Sequence, residues 1–309
     1  MRVKGFYLVA VFMLGMVFPL LSQPTHSSDW MPPSTIYPYE KVNLQGRRKP
    51  VPLPAISEND VMWSKIVWRR IELKEKINQK FYYPMENIGD RKSLAAVLFD
   101  AMKDVSSYAE DDEMATGPDF RGTAFEGAYG LIAFQDDEFQ KPYHNIDDIP
   151  IFSTRTNLTG MTDSLGRQTF DTLKVESRDV LSFLLKEIWF VDKKRSQLDV
   201  RIIGICPEYR LKKSIAERPY DNYEQNVWFY YPQARYYLCN KECYNPHNDA
   251  ERWTYDEVLL MRMFGSYIIK ESNMYDRMIN DFSKGVDAII ESERIKRDLI
   301  EFESELWDY

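Results

Sequence analysis

The stretch from Asp60 to Pro84, DVMWSKIVWRRIELKEKINQKFYYP, constrains the first element of the fold more than any other part of the chain. Ser57 is placed to cap a helix, with Asp60 three residues on at the capping-box spacing, and the pattern predicts a helix running to about Gln79. At roughly 100° per residue, Met62, Trp63, Ile66, Val67, Ile71, Leu73 and Ile77 share one broad face, the expected core side. Arg70 and Lys74 project into the same arc and Trp68 points far from it, so the helix is expected to do more than cover a core. The plainer alternative is a pair of snorkelling cations and one stray surface Trp. Trp and Arg are the residues that anchor interfaces, which makes Trp63, Trp68 and Arg70 candidates for partner contact.

The remainder alternates helical and extended signals. Leu94, Val97, Leu98, Ala101 and Val105 predict a second helix within Arg91 to Tyr108, ended by the acidic run EDDEMATGPDF. Between Ala128 and Val175, short apolar runs broken by Asp, Gly, Pro and Asn suit strands and long loops. Asp179 to Glu187 looks helical and leads into a strand at Ile188 to Val191. Leu198, Val200, Ile202, Gly204 and Cys206 alternate with their neighbours as a second strand, expected to pair with the first across a loop near Lys193 to Gln197. Val227 to Leu238 predicts a further strand or two, with Pro232 at an edge or bend. Thr254 is the candidate N-cap of a helix from Tyr255 to Lys270, with Glu257 completing the box, and a final helix follows Gly285. On that last helix Val286, Ile289, Ile290, Ile300 and Trp307 lie on one side, with Ile295, Leu299, Phe302 and Leu306 nearly opposite. One core cannot absorb both stripes: either two layers sandwich the helix, or one stripe meets another subunit. The expected class is α+β, a single principal domain over residues 57–309 with a small, mostly antiparallel sheet packed by helices.

Residues 1–22 read as an export leader: Arg2 and Lys4 precede the apolar run Phe6 to Leu21, and Ser22 supplies a small residue before a cut, so the mature protein is expected to begin at Gln23. An uncleaved anchor is the alternative, although the run is marginal for the ~20 residues that a spanning helix needs and Pro19 interrupts its end. From Pro24 to Ile56 seven prolines, with Trp30, Tyr37 and Tyr39 among them, forbid long helices and predict an extended arm. Its default role is a linker, and its aromatics make Trp30 and Tyr37 further contact candidates. The chain carries 40 Lys and Arg against 48 Asp and Glu, and removing the leader makes it more acidic still, so nucleic acid is not an expected partner.

Catalytic signatures are scarce. His26, His144 and His247 sit in no HExxH pattern, no GxSxG occurs, and Gly122 and Gly127 lack the Lys and Ser/Thr of a phosphate loop. Acidic clusters such as Glu110 to Glu113 lack EF-hand spacing and read as solvated loops. One sharp chemical alternative exists. Cys239, Cys243 and His247 are spaced four apart, and Cys206 could complete a Cys₃His zinc set in a periplasmic metal-binding domain or metalloenzyme. A disulfide between two of the three cysteines and inert reduced thiols are the competing readings. Otherwise neither a cofactor nor a resident metal is expected.

Three long segments carry a family resemblance. VMWSKIVWRRIELKEKINQ resembles the opening helix of the GldN/PorN family, Lys186 to Arg210 resembles its central strand pair, and Asn248 to Arg277 with Asp287 to Tyr309 resembles its closing pattern. That family belongs to the gliding and type IX secretion machinery of Bacteroidetes. The resemblance implies a non-enzymatic periplasmic ring subunit that binds a GldK/PorK-like outer-membrane lipoprotein and couples it to a GldM/PorM-like motor protein. It also gives meaning to Asp163-Ser164-Leu165 and Asp171-Thr172-Leu173, which are similar to the periplasmic O-glycosylation signal of that lineage.

Overall fold

The computed structural model describes residues 48–88, 91–103, 130–143, 148–152, 155–162, 168–173, 175–209, 227–246, 248 and 250–305. All of these belong to one compact unit, Leu44–Tyr309. The leader and the arm as far as residue 47, with Trp30 and Tyr37, lie outside the described residues, as do Ser164, His247 and Trp307.

The fold is built on one six-stranded antiparallel sheet. Its strands are β1 (Val61–Glu72), β2 (Ala133–Phe134), β5 (Val180–Asp192), β6 (Gln197–Tyr209), β7 (Trp228–Tyr230) and β8 (Tyr267–Glu271), in the spatial order β2-β7-β6-β5-β1-β8. A separate hairpin pairs β3 (Arg155–Thr162) with β4 (Gln168–Leu173), where Thr172 lies opposite Thr156. Among the described residues six α-helices accompany them: α1 (Gln79–Tyr82), α2 (Leu94–Lys103), α3 (Tyr231–Leu238), α4 (Tyr255–Leu260), α5 (Ile279–Phe282) and α6 (Val286–Glu305). This is the expected α+β domain.

The first element is a correction. Asp60 to Gln79 does not form a helix: residues 61–72 are strand β1, paired with β5 on one side and β8 on the other. Val61, Ile66, Val67 and Ile71 are β-branched and Trp63 and Trp68 aromatic, which suits a pleated surface. The two-residue alternation is masked because both faces of this central strand are covered, Val67 and Ile71 on one and Trp68 on the other. The same cause explains the second correction. Asp179 to Glu187 is not a helix: Asp179 closes a 3-10 turn and Val180 to Glu187 begins strand β5, whose apolar run Phe183, Leu184, Leu185 reads continuously because consecutive residues are buried on opposite faces.

Strand β6 and its pairing with β5 agree with the alternation read from Leu198 to Cys206, with Leu184 opposite Cys206 and Val191 opposite Leu198. The 227–238 segment divides: three residues form β7, and Pro232 sits in the first turn of α3, where its missing N–H costs nothing. Thr254 caps α4 as expected, accepting from the Glu257 N–H while the Glu257 carboxylate accepts from the Thr254 N–H. That helix stops at Leu260 rather than Lys270. Arg262, at φ 55, turns the chain, and residues 267–271 leave as edge strand β8. Gly285, at φ 62, occupies the left-handed region before α6.

The helices divide one face of the sheet. Phe183, Leu185, Ile205 and Phe229 project towards Leu98 and Met102 of α2, Tyr231 and Ala234 of α3, and Tyr255 and Leu259 of α4. Further along that face, Ile295 and Leu299 of α6 pack on Val67 and Ile268, and Trp63 stacks on Phe302 at 4.7 Å. Each such aliphatic side chain contributes about 1.5–3 kcal/mol by leaving water. The opposite face carries Trp68, Leu184, Cys206, Trp228 and Ile269, covered by the 130–143 segment through Phe134 and Phe139. Gly204 admits that cover, since a Cβ there would lie 2.6 Å from the Phe139 ring.

Candidate functional site

The proposed contact residues on β1 turn out to serve different purposes. Trp68 does not point into solvent; it is 9 % exposed, and its indole N–H donates to Asp137 Oδ2 at 2.9 Å. The ammonium groups of Lys270 and Lys186 lie 4.4 Å and 5.3 Å from its ring. Lys186 is held in turn by the Asp137 carbonyl at 2.7 Å and carboxylate at 3.3 Å. Arg70 is likewise engaged inside the chain. Its Nε and Nη2 meet the two oxygens of fully buried Glu208 at 2.7 and 2.8 Å, a bidentate ion pair, and Ser182 Oγ donates to the same carboxylate at 2.6 Å. Burial disfavours the Arg70 cation, but Glu208 and Tyr267 outweigh it and hold the guanidinium above its ordinary pKa. Both side chains are largely buried within the domain. Trp63 is half-buried against α6.

A second buried charge cluster lies on the helix-covered face. Glu187 takes Arg69 Nε at 3.3 Å, Arg262 Nη2 at 3.0 Å and the Trp189 indole N–H at 3.1 Å, and both guanidinium groups stack over the Trp189 ring. The cluster ties β1, β5 and the turn after α4 together.

The cysteines are dispersed rather than clustered. Cys206 faces the Trp68 side of the sheet, whereas Cys243 belongs to the opposite core. The three thiols are free and buried; Cys239 Sγ donates to the Arg48 carbonyl and Cys243 Sγ to the Lys80 carbonyl. Burial pushes both the Cys239 and the Cys243 thiol up to about 12. Among the described residues no group of three His, Cys, Asp or Glu side chains could hold a metal ion. Of the four-ligand reading of Cys206, Cys239, Cys243 and His247, the fold separates Cys206 from Cys243 across the sheet, and His247 lies outside the described residues.

Two exposed surfaces remain. The first is the outer stripe of α6. Val286, Ile289, Ile290 and Ile300 are 54–70 % exposed, while Ile295 and Leu299 opposite them are buried. Of the two arrangements open in the sequence, the sandwich is absent: only one side of α6 is covered among the described residues.

The second is a groove that sequence reasoning missed. It has a volume of about 1120 Å³ and lies between the 73–85 segment, the start of β5 and the 244–253 loop, with Leu73, Tyr83, Tyr244, Trp253 and Met263 among its walls. Tyr83 and Tyr244 meet across it at 4.6 Å. Asn78 fixes its near wall. Fully buried, Asn78 donates to the Glu72 and Gly265 carbonyls and accepts from the Gly265 N–H, each at 2.9 Å. Lys74 and Lys76 stand at the rim and Lys80 lies inside. The signal available beforehand was the run KINQKFYYP, cations followed by aromatics, but as a helix it suggested no cavity.

Residues 48–54 are tied to the domain at α3 and β6. The Arg48 N–H donates to Asn240 Oδ1 at 3.0 Å, Arg235 donates to the Val51 carbonyl at 2.7 Å, and Arg201 to that of Pro54. Arg235 is itself locked by Asp256. Among the described residues no helix is long and apolar enough to cross a membrane.

No curated protein matches the chain. A family model described as "Gliding motility associated protein GldN" matches residues 56–308, nearly the whole of the described domain. The chain belongs to the GldN family of gliding motility associated proteins.

Proposed function

We propose that this member of the GldN family is a non-enzymatic structural subunit of the type IX secretion and gliding machinery, exported to the periplasm and assembled there into a ring. In this reading the ring binds a GldK/PorK-like outer-membrane lipoprotein and meets the periplasmic part of a GldM/PorM-like motor protein. Motion generated at the inner membrane then passes through protein contacts rather than through chemistry. The observation that carries the reading is the outer stripe of α6, where four large aliphatic residues stand more than half exposed along one face of a 20-residue helix. A helix face of that kind is costly in water and is what an obligate subunit interface presents. The internal Arg and Trp networks support the same role, since they stiffen the sheet that would transmit force.

The test is affinity purification of the tagged mature chain from gently solubilised membranes with the lipoprotein co-expressed. Retention of the lipoprotein in near-equal amount supports the reading, and elution of the chain alone contradicts it.

A further inference from the structure

We propose that the groove between the 73–85 segment and the 244–253 loop receives residues 303–309, Glu-Ser-Glu-Leu-Trp-Asp-Tyr, of a second copy of this chain. The contact deepens the ring reading and rests on it for its place in the assembly, but the groove itself carries the argument.

Lys80 states what the groove lacks. Lys80 as a whole is 8 % exposed and lines the groove, and among the described residues its ammonium has no carboxylate or hydrogen-bond acceptor; the Phe81 ring stands 5.8 Å away. Burial lowers its pKa, the mark of a cation short of a counter-charge. An ammonium offers three donors and attracts a carboxylate that reaches it. With Lys74 and Lys76 at the rim and Tyr83, Tyr244 and Trp253 in the walls, the fitting occupant is a peptide that alternates carboxylates with large apolar side chains. Residues 303–309 have that chemistry: Glu303, Glu305 and Asp308 interleave with Leu306, Trp307 and Tyr309.

The occupant must come from another molecule. Ser292 of α6 accepts from the Ile268 N–H, beside Arg69, and ten residues on Phe302 lies against Trp63, so α6 runs opposite to β1. The last turn of α6, residues 303–305, therefore leads away from Leu73, where the groove begins. Trp63 and Leu73 are separated by a span of roughly 33 Å at the rise of an extended strand. From Glu305, the last helical residue, four further residues reach about 14 Å at most. A contact between a groove on one copy and a segment at the far end of the next is heterologous, and repeating it closes a ring or extends a filament.

The experiment titrates a fluorescein-labelled synthetic peptide of residues 301–309 onto the full mature chain and reads anisotropy. Saturable binding is expected, weakened about tenfold or more by Lys80→Met, which keeps the side-chain length, and by replacing the peptide's acidic residues with their amides. The Lys80→Met chain must melt like the wild type, and Tyr83→Ala provides a second groove variant should it not. A chain lacking residues 306–309 should bind the peptide at least as tightly and lose concentration-dependent self-association. No saturable binding at about 100 μM, or binding indifferent to Lys80→Met and to the amide peptide, overturns the proposal and leaves the groove to a different partner. Peptide binding without rings in the presence of the lipoprotein would sink the ring reading and leave this contact standing.

Discussion

Removing the cation from the Arg70–Glu208 pair separates a structural role from a contact role. In Arg70→Met the Glu208 carboxylate, 0 % exposed, loses its bidentate cation while the Ser182 Oγ hydrogen bond remains. Breaking a buried ion pair on one side costs about 3–5 kcal/mol, because the remaining charge is left uncompensated. Across the Leu44–Tyr309 unit, a loss of 1 kcal/mol corresponds to roughly 2 °C in Tm. The single variant should therefore melt roughly 6–10 °C below the wild type. The double variant Arg70→Met with Glu208→Leu exchanges the pair for apolar groups and should recover most of that loss, since a buried pair is often no better than its hydrophobic substitute. The assay is thermal unfolding followed by circular dichroism for wild type, both single variants and the double variant. A single variant within about 2 °C of the wild type, or a double variant no better than the worse single, would refute the reasoning.

Four further outcomes follow from other parts of the fold. Thr254→Ala removes the acceptor for the Glu257 N–H at the start of α4 and should cost about 1 kcal/mol, or roughly 2 °C in Tm; no change would mean that the cap is redundant. The Cys239 and Cys243 thiols, raised to about 12 by burial, should resist a disulfide reagent at pH 8 until the chain is unfolded. Because their unfolded values are near 8.5, the folded chain holds more protons between about pH 8.5 and 12; stability is full below that window and falls as pH rises through it, and a melting temperature rising from pH 8 to 10 would contradict this. Ile289→Asp with Ile290→Asp, at 63 % and 60 % exposure, should leave Tm within about 1–2 °C and abolish assembly with the lipoprotein; a large loss of Tm would place the stripe inside the domain instead.

Legibility in the sequence followed how many faces of an element are wet. Strand β6 could be read because Val200 and Arg201 differ in character and the alternation survives, and α4 because Thr254 and Glu257 form a local motif that needs no tertiary context. Strand β1 could not. Its apolar residues fall on both sides, and the spacing of Ile66, Val67 and Ile71 fits a helix as well as a strand packed on both faces. With β1 misread, Trp68 and Arg70 looked like surface anchors, although their partners Asp137 and Glu208 lie 69 and 138 residues away in sequence. The two stripes of α6 were legible as a conflict, and the fold resolves it by burying Ile295 and Leu299 and leaving Ile289 and Ile290 exposed. The groove was beyond reach, because Tyr83 and Tyr244 become neighbours only through the tertiary fold.

The central claim is that this chain works by assembling, and electron microscopy of the mature chain co-expressed with its GldK-like lipoprotein tests it most directly. Gently solubilised and negatively stained, the co-eluting material should consist of large closed rings containing both proteins. A monodisperse monomer that ignores the lipoprotein would contradict the account.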